Sequence, residues 1–69
     1  MEVRAEMTGT VWKVVAQIGH RVEEGDPVII LESMKMEIPI EAPRAGVIKE
    51  IRVAEGMVVQ EGDVVAVLE

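Results

Sequence analysis

The 69-residue chain has no cysteine, which excludes disulfides, thiolate metal sites and a cysteine nucleophile. It has no Phe and no Tyr, and Trp12 is its one aromatic residue, so a platform for stacking nucleobases is absent. Cations are scarce: seven Lys and Arg stand against thirteen Asp and Glu, for a net charge of −6. Nucleic-acid affinity comes mainly from cations that neutralise phosphates, so that partner is excluded. No apolar run approaches the roughly 18 residues of a membrane span. Met1-Glu2-Val3-Arg4-Ala5-Glu6 has neither the basic head nor the apolar run of a signal peptide. The acidic residues lack the clustered spacing of a calcium loop, and no metal site is expected. These absences leave a small, acidic domain spanning residues 1–69, expected in the cytoplasm, with neither nucleic acid nor membrane as partner. Its core is thin, because so short a chain buries only about 60% of its unfolded surface.

What is present reads as β-structure. Val, Ile and Thr make up 22 of the 69 residues, and these β-branched side chains suit pleated sheets. Gly and Pro punctuate the chain, and the longest stretch free of both is Val28 to Ile38. A helix of ordinary length has no room, whereas strands of about five residues fit throughout. Strands are expected near 2–7, 10–16, 28–33, 36–41, 47–53 and 64–68, with short extended pieces near 21–22 and 58–59. Val3, Ala5 and Met7 alternate with Glu2, Arg4 and Glu6, as Ile38, Ile40 and Ala42 do with Glu37, Pro39 and Glu41. That alternation marks half-buried antiparallel strands. Gly25-Asp26 and Gly62-Asp63 read as turns in which glycine supplies a positive φ, and Gly19 and Gly56 mark two further bends. Gly9 and Gly46 are grouped with these turn-forming positions.

A shift of 37 residues overlays the chain on itself without a gap. Gly9 falls on Gly46, Gly19 on Gly56, Gly25-Asp26 on Gly62-Asp63, and Leu31-Glu32 on Leu68-Glu69. Residues 5–32 and 42–69 share ten identities. Two copies are too few for a solenoid, so a closed domain with internal two-fold pseudosymmetry is expected. Residues 1–32 match 38–69, which leaves Ser33-Met34-Lys35-Met36-Glu37 unmatched, with Lys35 at the centre of the chain. The symmetry counterpart of this segment is the pair of chain ends. The segment is therefore expected at a projecting hairpin tip, and the two termini should meet at the place related to it by symmetry.

Hairpin tips favour Gly, Asn, Asp or Pro, yet here two methionines flank an amine. Met is a common core filler, but both neighbouring strands are apolar enough without Met34 and Met36, and a tip has no core to enter. Glu32-Ser33-Met34-Lys35-Met36-Glu37 resembles the attachment motif of the biotin/lipoyl-attachment (biotinyl) family. The resemblance extends over the whole chain through the central placement, the repeat and the Gly-Asp turns. It implies an all-β fold, a flattened β-barrel (barrel-sandwich hybrid) of two four-stranded antiparallel sheets, with the modified lysine at a hairpin tip. Some carriers of this family have an inserted thumb in the first half. The gapless overlay of 9–32 on 46–69 leaves no room for one.

By this resemblance Lys35 carries biotin in amide linkage, and Met34, Met36, Glu32, Ser33 and Glu37 form the surface that partner enzymes read. A free lysine amine has a pKa of about 10.4 and is almost wholly protonated at pH 7. Activation is thus expected from a biotin-protein ligase, and the domain itself is expected to be non-catalytic. The implied partners beyond the ligase are a biotin carboxylase and a carboxyltransferase, as in acetyl-CoA carboxylase and fatty acid biosynthesis, between which the arm carries carboxyl groups. The alternative is a lipoyl carrier of a 2-oxo acid dehydrogenase or glycine cleavage type. That family usually places an acidic residue before its lysine and Ala after it, where this chain has Met34 and Met36, so biotin is favoured and lipoate stays open at the same lysine.

The remaining chemistry-bearing residues point nowhere else. His20 follows Gly19 in a bend and reads as a solvated loop residue. Ser33, Thr8 and Thr10 have no base in sequence apart from that histidine, so a hydroxyl nucleophile is not credible. Lys13 and Lys49 read as outward charges. Trp12 is read as core or partly covered, although a lone Trp also marks contact surfaces.

Overall fold

The computed structural model describes all residues 1–69, and every regular element in it is a strand. β1 (Glu2–Arg4), β2 (Gly9–Val14), β3 (Arg21–Val22) and β4 (Pro27–Ser33) form the first half. β5 (Met36–Glu41), β6 (Gly46–Ile51), β7 (Val58–Val59) and β8 (Val64–Leu68) form the second. They assemble into two antiparallel four-stranded sheets, ordered β1-β8-β6-β3 and β5-β4-β2-β7. The all-β, two-sheet expectation is met. Three strands are shorter than the sequence suggests: β1 stops at Arg4, β2 at Val14 and β6 at Ile51.

The 37-residue shift turns one sheet into the other. It sends β1, β2, β3 and β4 onto β5, β6, β7 and β8, so the order β1-β8-β6-β3 becomes β5-β4-β2-β7. Each sheet has the two central strands of one half and takes both edge strands from the other. Neither half can complete a sheet alone.

Even the irregularities repeat. On β2, Val11 and Lys13 face consecutive residues of β4, Leu31 and Ile30, so Trp12 is the extra residue of a bulge. Lys49 occupies the same place on β6, between Ile48 and Glu50. A bulge breaks the alternation of a strand, and Trp12 and Lys13 are both exposed, as are Lys49 and Glu50. A second pair works in the opposite sense. Val28 is extra on β4 opposite β5, and Val65 is extra on β8 opposite β1. There two successive side chains, Val28-Ile29 and Val65-Ala66, are both buried.

Four turns carry glycine in the left-handed region, with φ between +88° and +92° at Gly19, Gly25, Gly56 and Gly62. Gly25 is the third residue of a turn closed by the Asp26 amide donating to the Glu23 carbonyl at 3.0 Å. The Asp26 carboxylate in turn accepts from the Glu23 amide at 2.8 Å. Asp63 and Gln60 repeat this at 2.8 Å. Beside these turns the buried Ala5 and Ala42 are clamped: Ala42 donates to Asp26 O at 2.8 Å and accepts from Gly25 at 3.0 Å, and Ala5 treats Asp63 and Gly62 alike at 2.8 Å.

Gly9 and Gly46 are not turn residues. They open β2 and β6, and the reason for glycine there is close approach. A Cβ on Gly9 would lie 3.0 Å from the Glu32 carbonyl oxygen, and one on Gly46 would lie 3.2 Å from that of Glu69.

Fourteen side chains, all Val, Ile, Leu or Ala, form one core between the sheets, and no polar or charged residue is buried. At about 1.5–3 kcal/mol per fully buried aliphatic side chain, this burial holds together a chain that has no disulfide. Trp12 contributes little to it. At 48% exposed on the outer surface it is not core but partly covered, the second of the two readings of the sequence. The chain ends meet as the symmetry demands. The Met1 ammonium donates to the Leu68 carbonyl and the Leu68 amide to the Met1 carbonyl, both at 2.7 Å.

Candidate functional site

The unmatched central segment is the tip of the β4–β5 hairpin. Cross-strand partners run from Pro27 and Glu41 up to Ser33 and Met36, so only Met34 and Lys35 make the reversal. Both have positive φ, +53° and +62°. Two successive left-handed residues are the signature of the tight hairpin turn that usually takes Asn-Gly. For residues bearing a Cβ this conformation costs roughly 1–2 kcal/mol each. Such local strain is concentrated at functional sites.

The side chains add to the cost. Met34 is 91% exposed and Met36 61% exposed, so neither is core. Glu32 and Glu37 are direct cross-strand partners, both exposed, and like charges placed opposite each other destabilise a strand pair. No ion pair relieves them, for the three ion pairs of the structure are Arg4–Glu2, Arg21–Glu23 and Arg52–Glu50. Lys35 is exposed and makes no hydrogen bond or ion pair. Ser33 is half-buried at the base of the turn.

The fold thus gathers Lys35, Met34, Met36, Glu32, Ser33 and Glu37 at one end of one hairpin. The turn residues Gly19, Gly25, Asp26, Gly56, Gly62 and Asp63 act through the framework. Gly9 acts more directly, because its missing side chain lets β2 close on Glu32 at the foot of the tip. His20 is exposed and its backbone, not its ring, is engaged: it donates to Gln17 O at 3.1 Å and accepts from the Ile48 amide at 2.9 Å. No group of three His, Asp or Glu side chains converges as metal ligands do.

Two surface features escape sequence reading. One is the outer face around Trp12, where the shift by 37 residues replaces Trp12, Pro39 and Val58 by Lys49, Glu2 and Arg21. The other is a groove of about 230 Å³ lined by Glu6, Met7, Leu31, Ile38, Pro39, Ile40 and Glu41. It runs beside the β4–β5 hairpin below the tip. The signals were the lone Trp12 for the first and, for both, the failure of the repeat at particular positions.

The tip fits a covalent arm. Its amine is exposed and unengaged, its flanks are apolar and solvent-facing, and the strands below are pinned to the core through Leu31 and Ile40.

Comparison with known proteins places the fold in a family. Residues 1–68 match the biotin/lipoyl family described as biotin-requiring enzyme. The biotin/lipoyl attachment protein of Bacillus subtilis (strain 168) is 53% identical over 64 residues, covering 93% of this chain and 88% of that protein. The crystal structure of Kluyveromyces lactis urea carboxylase superposes on the whole chain with a TM-score of 0.95 and 42% identity. A single-chain, multi-domain long-chain acyl-CoA carboxylase covers 96% of it with a TM-score of 0.87 and 35% identity. This chain spans 6% of each of those two large proteins. In sequence and in fold, therefore, the chain belongs to the biotin/lipoyl-attachment family.

Proposed function

We propose that Lys35 is the attachment residue, that a biotin-protein ligase joins biotin to its Nζ as an amide, and that the loaded chain serves an acyl-CoA carboxylase. The observation that carries this reading is the strained Met34-Lys35 turn. It holds an amine clear of every neighbour where an ordinary hairpin would place Asn-Gly. Attached biotin supplies a group that can carry a carboxyl unit. The chain contributes position. The two-residue turn fixes where the arm starts, and the strand pairing below it keeps that point rigid. Met34 and Met36 present adaptable apolar surface to more than one enzyme. Glu32 and Glu37 present uncompensated negative charge to a basic partner surface. Tethering raises the effective concentration of the arm at two partner sites, a biotin carboxylase and a carboxyltransferase, into the millimolar range. An acyl-CoA as final acceptor fits the likeness to a long-chain acyl-CoA carboxylase, while the likeness to a urea carboxylase fits urea.

The test is intact mass with site mapping on chain co-expressed with biotin and lipoate ligases and both cofactors. A biotinyl increment on Lys35, absent from Lys35→Arg, is the expected result. A lipoyl increment redirects the chain to 2-oxo acid dehydrogenases or glycine cleavage. An unmodified Lys35 overturns the reading. The acceptor is then tested by carboxylation assays of acyl-CoA esters against urea and pyruvate.

A further inference from the structure

The groove beside the hairpin breaks the internal symmetry in a way that singles out the end bearing Lys35. Its lining residues Met7, Leu31, Ile38 and Glu41 correspond, by the 37-residue shift, to Arg44, Leu68, Met1 and Arg4. At the counterpart no cavity opens. Arg44 lies across it instead, with Nε 3.3 Å from the Met1 sulfur and Nη2 donating to the Glu69 carbonyl at 3.3 Å. Arg4 closes its other side through an ion pair with Glu2 and a 2.7 Å hydrogen bond to the Gly62 carbonyl. On the Lys35 side Met7 replaces the spanning arginine. Glu6 and Glu41 stand at the rim with no ion pair and no hydrogen bond to their carboxylates.

We infer that this groove is a docking site in cis for the head of the biotin arm on Lys35, a resting position between visits to partner enzymes. The inference rests on Lys35 being the attachment residue. The chemistry matches on both faces of the ligand. Met7, Leu31, Ile38 and Ile40 offer an apolar floor to the sulfur-containing ring, and the free carboxylates of Glu6 and Glu41 accept hydrogen bonds from the two ureido N–H groups. The reach matches too. The groove begins at Ile38, three residues along β5 from Lys35, and ends at Glu41, six residues along. At strand rise these lie about 10 Å and about 20 Å away. A lysine stem and the valeryl chain of biotin span about ten single bonds, or about 12 Å. The ring of such an arm enters at the Ile38 end and points its ureido edge toward Glu41. The size argues for a tethered ligand. Pockets for whole free ligands begin at about 300 Å³, and a site near 230 Å³ takes the head of an arm. Tethering makes weak affinity sufficient, because a linked group stands at millimolar effective concentration.

The experiment compares methyl NMR spectra of the unmodified and biotinylated chain, labelled at Ile, Leu and Met, with the biotinyl mass on Lys35 verified first. Expected are shifts at Met7, Leu31, Ile38 and Ile40 with cross-peaks to the biotin ring, and none when micromolar free biotin is added to the unmodified chain. In biotinylated Met7→Arg, which restores the residue of the closed counterpart, these shifts and cross-peaks are lost while the biotinyl mass is kept. Glu6→Gln with Glu41→Arg, which spares the floor, is expected to weaken them and guards against misfolding of the first variant. A fully biotinylated chain whose shifts stay within residues 33–37 overturns the docking site and leaves Lys35 as the attachment residue. A chain that gains no biotinyl mass overturns both.

Discussion

Ser33 and Met36 are direct cross-strand partners, so the chain reverses within Met34 and Lys35 alone, and both adopt left-handed backbone. The proposed attachment site is thus held by a turn whose residues are ill suited to it. Folding stability and function oppose each other at this point.

Replacing Met34 by Asn and Lys35 by Gly supplies the residues this turn prefers. Relief of two left-handed side-chain positions, roughly 1–2 kcal/mol each, exceeds the extra entropy cost of one glycine, about 0.5–1 kcal/mol. Urea unfolding of the unmodified double variant should show a gain of about 1–2 kcal/mol, and with Lys35 as the proposed attachment residue the variant should gain no biotinyl mass. A loss of stability would show that Met34 or Lys35 contributes to folding at the tip.

Gly25→Val and Gly62→Val should each destabilise the chain by about 1–2 kcal/mol. A Cβ at either position meets nothing within 4 Å, so the cost comes from the backbone alone, at φ +88° and +92°. At about 0.05–0.15 kcal/mol per residue, total stability is small enough for thermal melts to register the change. Wild-type melting of both variants would contradict the role assigned to these turns.

A peptide covering residues 1–34 and another covering 36–69 should each be unfolded alone by far-UV circular dichroism and regain β-structure when mixed. Each sheet takes its central strands from one half and its edges from the other, so an isolated half leaves two central strands without edges and the core open on one side. A folded isolated half would show that the exchange of edge strands is dispensable.

Much of this was legible in the letters, and the misses have local causes. The two-sheet architecture, the symmetric partner of the tip and the four turn glycines follow from the repeat and the punctuation. The lengths of β1, β2 and β6 did not, because strand ends depend on pairing partners far along the chain. The bulges at Trp12, Lys49, Val28 and Val65 were also hidden. Each inserts one residue and shifts the inside–outside alternation beyond it, which is why Trp12 and Lys13 are both exposed after the buried Val11. Gly9 and Gly46 read like turn glycines because conformational freedom and close approach call for the same residue.

By itself the amino-acid sequence determined that the chain is all-β, that its halves are equivalent, and that Lys35 between two methionines has no counterpart in the repeat. Those properties depend on composition and on spacing along the chain. Only the tertiary structure decided that Met34 and Lys35 carry the turn in a strained conformation, that Glu32 faces Glu37, and that Arg44 closes one groove while Met7 leaves the other open. These depend on strand register and on contacts between distant residues, which exist once the two halves have exchanged their edge strands.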